Sequence, residues 1–226
     1  MKKIKGAIFD LDGTILDSMH IWPQIDEDFL GRRGITLPED YIKEISAMGF
    51  HEIAIYTKER FSLAETLDEI KNEWNEMSVM AYATAIGLKP GAKEFLKLLK
   101  DNGVKMSVAT ASNELLFMPA LENNEILGYF DAFTTLAEVK NGKGSSDIYF
   151  KAAEKIGVSA KECVVFEDLY DGLRAARRDG FFTVGVKENL AVVSQEKIKE
   201  ESDIYINDFY ELINNNVFIE RLKKNA

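Results

Sequence analysis

The sequence of 226 residues lacks several features that mark other classes of protein. It has one cysteine, Cys163, so an intramolecular disulfide framework is excluded and the usual support for secretion is missing. No apolar run approaches the roughly 18 residues that a membrane-spanning helix needs. The chain also shows no internal repeat and no low-complexity tract. We therefore expect a cytoplasmic protein with no membrane partner.

Positive charge is scarce as well. The chain has 28 Lys and Arg against 38 Asp and Glu, which gives a formal net charge of −10 at pH 7. Nucleic-acid binding depends on clustered basic residues that neutralise phosphates, so we expect no nucleic-acid partner. Apolar residues make up 46% of the chain, which is enough to bury a core and excludes disorder as the main state. We expect a monomer, with a dimer as the alternative.

Short apolar segments with strand character alternate along the chain with stretches of helical periodicity. This alternation predicts parallel strands joined by right-handed helical crossovers. We therefore expect an α/β fold with a doubly wound, mainly parallel, Rossmann-like sheet. The predicted strands cover residues 4–9, 105–109, 132–136, 162–166, 181–186 and, more weakly, 203–206.

Residues 16–85 interrupt this alternation, because they contain long helical patterns and no convincing strand. Within them, the capping-box pattern Ser62-Leu63-Ala64-Glu65 predicts the start of a helix that continues to Ala81. We predict that this segment is an all-helical domain inserted after the first strand. The remaining residues, 1–15 and 86–226, would form the α/β core.

Polar residues follow the first four predicted strands. In an open α/β sheet, ligands bind beyond the carboxyl ends of the strands, so these residues are expected to converge at one edge. Four acidic side chains, three hydroxyl groups and a lysine belong to this set. Its members are Asp10, Asp12, Gly13 and Thr14 after the first strand, Thr110, Ala111 and Ser112 after the second, Lys143 after the third, and Glu167 and Asp168 after the fourth.

This combination of residue types suits phosphoryl transfer, which needs a nucleophile, a proton donor, a metal ion and fixed positive charge. Asp10 could attack phosphorus and form an aspartyl-phosphate, and Asp12 could protonate the leaving alkoxide and then activate water. Carboxylate oxygens of Asp10 and Asp168 suit Mg²⁺. Thr110 and Lys143 could bind the transferring group.

Some of these residues also have a simpler, structural interpretation. Glu167 and Asp168 taken alone could form a turn or cap a helix, and Lys143 alone could be a solvated loop charge. Asp10 and Asp12 differ, because two acids directly after an apolar strand crowd negative charge without any packing benefit. All four segments occur in order, which favours the catalytic interpretation.

The four segments resemble the four motifs of the haloacid dehalogenase superfamily. The position of the helical insertion resembles the C1 cap of the phosphatase and β-phosphoglucomutase-like branch of that superfamily. The segments that carry the resemblance are Phe9-Asp10-Leu11-Asp12-Gly13-Thr14, Ala109-Thr110-Ala111-Ser112, Lys143 with Asp147, and Phe166-Glu167-Asp168 with Gly172.

The resemblance implies a role for each of these residues. Asp10 would be the nucleophile, and Asp12 would be the acid and base that also offers its carbonyl oxygen to magnesium. Asp168 would be a metal ligand, with Glu167 in or just outside the first shell of the metal. The phosphate ligands would be Thr110 and Lys143, together with Ala111 and Ser112 of the second motif.

Departures from the family pattern favour one branch of it. The sugar-phosphate mutases of the family have an arginine in the cap after a glycine and a lysine after the second motif. Here the cap stretch Gly49-Phe50-His51-Glu52 has no arginine, and Asn113 follows Ser112. We expect a magnesium-dependent phosphatase that acts on a small phosphorylated metabolite, such as a sugar phosphate. The alternatives are a phosphomutase and, in another class, a non-catalytic regulator that binds phosphate and metal.

The predicted cap contains a few further candidates. His20, His51 and Lys71 could face the substrate, although the histidines could also be ordinary surface residues and a lysine on a helix face is more often simply solvated. Two histidines without a third ligand at a known spacing are only a weak zinc signal. Four aromatic residues are most simply part of the core of the cap, although one or two could line the pocket: Trp22, Phe50, Tyr56 and Trp74.

Overall fold

A computed structural model describes residues 3–45, 48–190 and 193–222. The chain divides into two compact units: a core unit, formed by the segments before His20 and after Ala85, and a helical unit, His20–Ala85. No helix in the described ranges combines the length and the apolar character needed to cross a bilayer.

The first boundary between the units falls after Met19, whereas the sequence predicted it after Ile15. Leu16 explains the difference, because its backbone pairs with Asp12 and with Leu88, which both belong to the core unit. The segment that follows the first strand therefore stays attached to the core before the helical unit begins.

The strands in the described residues of the core unit are β1 Gly6–Phe9, β2 Lys105–Thr110, β3 Ala132–Thr135, β4 Cys163–Glu167, β5 Phe182–Val186 and β6 Ile204–Ile206. All six pair in parallel in the order β3-β2-β1-β4-β5-β6, which confirms the doubly wound α/β prediction. Every strand is short, and the two central strands, β1 and β4, are fully buried, as expected for a parallel sheet that is covered on both faces.

Helices connect these strands. Since crossovers between parallel strands are right-handed, helices that lead from β1 towards β3 and helices that lead from β4 towards β6 cover opposite faces of the sheet. The helices in the described residues are α1 Ile21–Gly31, α2 Tyr41–Ile45, α3 Phe50–Arg60, α4 Leu67–Thr84, α5 Ala92–Asp101, α6 Glu114–Asn123, α7 Asp147–Lys155, α8 Tyr170–Arg178, α9 Gln195–Glu200, α10 Tyr210–Ile213 and α11 Asn216–Leu222.

Aromatic side chains align the two central strands. Phe9 of β1 lies opposite Phe166 of β4, and their rings stack with centroids 4.4 Å apart. Phe95 of α5 packs edge-on against Phe166 at 5.4 Å. These buried rings hold the ends of β1 and β4 in register, which fixes the residues that follow each strand beside each other.

The helical unit consists of α1, α2, α3 and α4 within its described residues. The prediction that Ser62 opens a helix was wrong, because Ser62 has a positive φ of 51° and lies in a turn. Thr66 caps α4 instead: its hydroxyl accepts from the Glu69 backbone N–H at 3.2 Å, and the Glu69 carboxylate accepts from the Thr66 N–H at 2.8 Å.

A buried ion pair lies where the chain re-enters the core unit. Lys89 and Glu188 are both buried, and Nζ lies 2.6 Å from Oε2. We expect Lys89→Met to destabilise the fold by about 3 kcal/mol, because it leaves Glu188 buried without its cation. Urea denaturation measures this difference in the free energy of unfolding.

An exposed pair of similar geometry provides the matched control. Lys97 lies 2.7 Å from Asp101 on α5, with both side chains more than half exposed, so Lys97→Met should cost less than about 0.5 kcal/mol. Adding Glu188→Leu to Lys89→Met should recover most of the lost stability. If Lys89→Met and Lys97→Met lost equal free energy of unfolding, the prediction that the buried pair of Lys89 and Glu188 is costly to break would be contradicted.

Candidate active site

The order of the strands reverses between β1 and β4, since the chain leaves β1 towards β2 and leaves β4 towards β5. In doubly wound sheets, ligands bind outside the carboxyl ends of the strands at such a switch point. Asp10 directly follows β1, and its backbone N–H donates to the Phe166 carbonyl oxygen at 3.0 Å. Glu167 ends β4 and Asp168 follows it, so three carboxyl groups meet at this point.

These three side chains form a buried acidic cluster. One carboxylate oxygen from each of Asp10, Glu167 and Asp168 lies within 4.8 Å of the other two. The Lys143 ammonium contacts Asp10 Oδ1 and lies 3.0 Å from Glu167 Oε2. Lys143 comes from the loop before α7, so the third predicted strand-end residue also reaches the cluster.

The charges in the cluster do not balance. Three carboxyl groups face one ammonium group, which leaves a deficit of two positive charges if all are ionised. Burial, followed by repulsion from Glu167, raises the pKa of Asp10 well above its usual range. Burial and repulsion from Glu167 and Asp10 raise the pKa of Asp168 in the same direction.

The same surroundings favour the charged form of Lys143. Burial alone would lower the pKa of its ammonium group, but attraction to Asp10 and Glu167 outweighs burial and holds that pKa above its usual value. Lys143 therefore stays charged, and it is a fixed positive group beside Asp10.

The donor atoms of this cluster fit a hard divalent cation. Magnesium prefers carboxylate, carbonyl and water oxygens, and the cluster offers carboxylate oxygens from three residues. A doubly charged ion also matches the deficit of two positive charges. The fit is thus chemical and electrostatic, and it involves Glu167 together with Asp10 and Asp168.

The turn after β1 brings the backbone at Gly13 close to the Asp168 carboxylate. Gly13 has φ of 81°, and a Cβ atom there would lie 2.7 Å from Asp168 Oδ2, so a larger residue would be strained and would collide with the cluster. Thr14 donates from its hydroxyl to Asp168 Oδ1 at 3.1 Å. Ser18 donates to Asp12 Oδ1 at 2.7 Å, which holds the Asp12 side chain in place.

The segment at the end of β2, residues 110–112, carries hydroxyl groups and backbone N–H groups. Thr110 is buried at the end of β2, and its hydroxyl accepts from the Ser112 backbone N–H at 3.0 Å. Ala111 is exposed and Ser112 is half-buried. The next residue, Asn113, uses its side-chain oxygen to cap α6 by accepting from the Leu116 N–H at 3.2 Å.

Sequence reasoning missed one residue that supports the cluster. Tyr149, buried on α7, donates from its hydroxyl to Glu167 Oε2 at 2.8 Å. Its position on the apolar face of α7 is also that of an ordinary core residue, so the sequence had no signal for this contact. Gly172 leaves room for it, because a Cβ there would lie 2.6 Å from the Tyr149 hydroxyl.

The predicted cap residues belong to the helical unit. His20 and His51 are exposed, and Lys71 pairs with Asp68 at 2.8 Å. Their contact with a substrate stays a prediction.

The chain is similar to a family model, to several phosphatases and to solved structures of the same fold. A model of the haloacid dehalogenase-like hydrolases matches residues 7–186. A phosphorylated carbohydrates phosphatase of Thermotoga maritima is 25% identical over 177 residues, which cover 78% of this chain and 82% of that protein. A probable pseudouridine-5'-phosphatase of Drosophila melanogaster is 27% identical over 210 residues, which cover 90% of each chain. The structure of CbbY from Rhodobacter sphaeroides in complex with phosphate has a TM-score of 0.75 at 21% identity, over 96% of this chain and 99% of that one.

Proposed function

This chain belongs to the haloacid dehalogenase-like hydrolase family, and from that premise we propose that it is a magnesium-dependent phosphatase of small phosphorylated metabolites. The observation that carries the proposal is the buried cluster of Asp10, Glu167 and Asp168 with Lys143 at the switch point of the sheet. The similarity to phosphatases of phosphorylated compounds supports a phosphomonoester as the substrate.

In the proposed reaction, the Asp10 carboxylate attacks phosphorus and forms an aspartyl-phosphate. Asp12 gives a proton to the leaving alkoxide and then takes a proton from the water that hydrolyses the intermediate. Lys143 and Thr110, with the backbone around Ala111 and Ser112, bind the phosphoryl oxygens.

A magnesium ion held by Asp10, Asp168 and the Asp12 carbonyl oxygen, with Glu167 beside it, would neutralise charge on the phosphoryl oxygens. Apart from this, the protein side chains carry the chemistry. Lys143 keeps a positive charge beside Asp10, and Tyr149 holds Glu167 by donating to it.

Asn113 and Glu52 argue against the phosphomutase alternative. Asn113 stands where the mutases have a lysine, and its side chain caps α6. In the cap stretch without arginine, Glu52 accepts from the Gly49 backbone N–H at 2.8 Å, so an acid occupies the first turn of α3. Neither position therefore supplies a cation that could bind a second phosphate group of a substrate.

Phosphate release tests both points. With magnesium, the purified chain should release phosphate from members of a panel of phosphorylated metabolites and from p-nitrophenyl phosphate. With β-glucose 1-phosphate, the products should be glucose and phosphate, or there should be no reaction. Efficient formation of glucose 6-phosphate would favour the mutase, and binding of phosphate without any turnover across the panel would favour the regulator.

A further inference from the structure

The helical unit contains a cavity of about 160 Å³. A cavity of this size can hold a single six-membered ring. Its walls come from α1, α2, α3 and α4 and are mostly apolar. They are formed by Trp22, Ile25, Asp26, Ile45, Phe50, Ile53 and Trp74.

Two of the lining residues, Trp74 and Asp26, carry polar groups that could bind a ligand. Trp74 is only 3% exposed, and within the described part of the chain its indole N–H has no hydrogen-bond partner. Asp26 is half-buried, and burial raises the pKa of its carboxyl group to about 7. A buried donor without a partner is costly, so the Trp74 N–H calls for an acceptor inside the cavity, and the Asp26 carboxyl group on the same wall can accept a second hydrogen bond.

Neighbouring polar groups are already engaged elsewhere. The Tyr41 hydroxyl interacts electrostatically with Asp26, but it is already hydrogen-bonded to the Thr57 hydroxyl at 2.6 Å. Arg60, the cation near Tyr41, pairs with Asp40 at 2.7 Å and with Glu44 at 2.6 Å. These groups are therefore committed to other bonds.

One of the apolar residues that line the cavity is also exposed to solvent. Phe50, the first residue of α3, is 43% exposed although it packs against Trp74 with ring centroids 5.7 Å apart. With Trp22, three aromatic rings surround the cavity, and such rings favour a flat ligand that can pack against them.

We propose that this cavity is a binding site for a planar six-membered lactam ring, the chemical class that includes the pyrimidine bases. The ring carbonyl accepts from the Trp74 indole N–H, and the ring N–H donates to the Asp26 carboxylate. Trp22 and Phe50 pack against the ring.

Other small ligands match the walls less well. A sugar carries several hydroxyl groups and would leave most of them unpaired against isoleucine and aromatic side chains. An organic cation would satisfy Asp26 but not the indole N–H of Trp74. A lactam supplies an acceptor for the Trp74 indole N–H and a donor for the Asp26 carboxyl group.

The test uses the full chain and needs no turnover, so its failure leaves the phosphatase proposal standing. Trp22 and Trp74 are the only two tryptophans, so ¹⁵N-tryptophan labelling yields two indole N–H signals in an NMR spectrum. On titration with 2-pyridone, the signal that is absent from Trp74→Phe should shift downfield and saturate. Glucose and benzylamine should leave both signals in place at the same concentrations.

Variants separate hydrogen bonding from ring packing. Trp74→Phe and Asp26→Leu should each weaken 2-pyridone binding about tenfold, because each removes one hydrogen-bonding group, while the affinity for benzene changes by less than about twofold. Trp22→Phe, which keeps an aromatic wall, is the matched control and should bind 2-pyridone within about twofold of the parent.

Three results would overturn the proposal: no saturable shift with 2-pyridone, saturable binding of glucose or benzylamine in its place, or unchanged 2-pyridone affinity in both Trp74→Phe and Asp26→Leu. Circular dichroism establishes that each variant is folded. If Trp74→Phe does not fold, the Asp26→Leu comparison decides the outcome by itself.

Discussion

Asp10→Asn should abolish the hydrolysis of p-nitrophenyl phosphate, with a loss of about 10⁴-fold or more in kcat, because an amide oxygen cannot serve as the nucleophile. The fold should survive. Asp10 lies in a cluster with excess negative charge, and burial and repulsion already raise its pKa, so a neutral side chain of the same shape relieves repulsion. Released nitrophenol measures the first effect, and thermal unfolding measures the second.

Asp101→Asn provides the control for this experiment. Asp101 is an exposed acid at the end of α5 that pairs with Lys97, so its loss should leave activity unchanged. The parent should also lose activity in a chelator and regain it when magnesium is added. Substantial turnover by Asp10→Asn, or full activity in the chelator, would contradict the proposed mechanism.

Asp12→Asn should slow alkyl phosphates far more than p-nitrophenyl phosphate. An alkoxide needs a proton as it leaves, which is worth about 10² to 10⁴ in rate, whereas nitrophenolate leaves almost unaided. The substitution preserves local geometry, because an asparagine oxygen can still accept from the Ser18 hydroxyl. Rates of phosphate release from the two classes of substrate measure the difference.

The same variant should trap the intermediate. Hydrolysis of the aspartyl-phosphate still requires a base, so with p-nitrophenyl phosphate the Asp12→Asn variant should show a burst of nitrophenol and a mass increase of about 80 Da on Asp10. Equal slowing of both substrates with no trapped intermediate would mean that Asp12 only shapes the metal site. The proton transfers would then be assigned elsewhere, and His20 would be tested first.

Local sequence patterns predicted the sheet because its strands are buried. A parallel strand covered on both faces is a short apolar run, and such runs are visible at 4–9 and 162–166 without any knowledge of neighbours. Patterns of helix termini were less informative. Ser62 and Thr66 both precede an acid three residues later, and only packing decided that Thr66 caps α4.

The sequence by itself determined the fold class, the alternation of strands and helices, and the strand-end residues that carry the proposed chemistry. These features depend on the period of apolar residues and on short spacings along the chain, such as that from Asp10 to Asp12.

The tertiary structure alone decided which distant groups touch. The contacts of Lys143 with Asp10, of Tyr149 with Glu167, and of Lys89 with Glu188 join residues far apart in the chain. The unpartnered indole N–H of Trp74, and the position of Asp26 on the wall of the same cavity, are known only from the packing of four helices. Burial and the distances between side chains depend on that packing, and no local pattern encodes them.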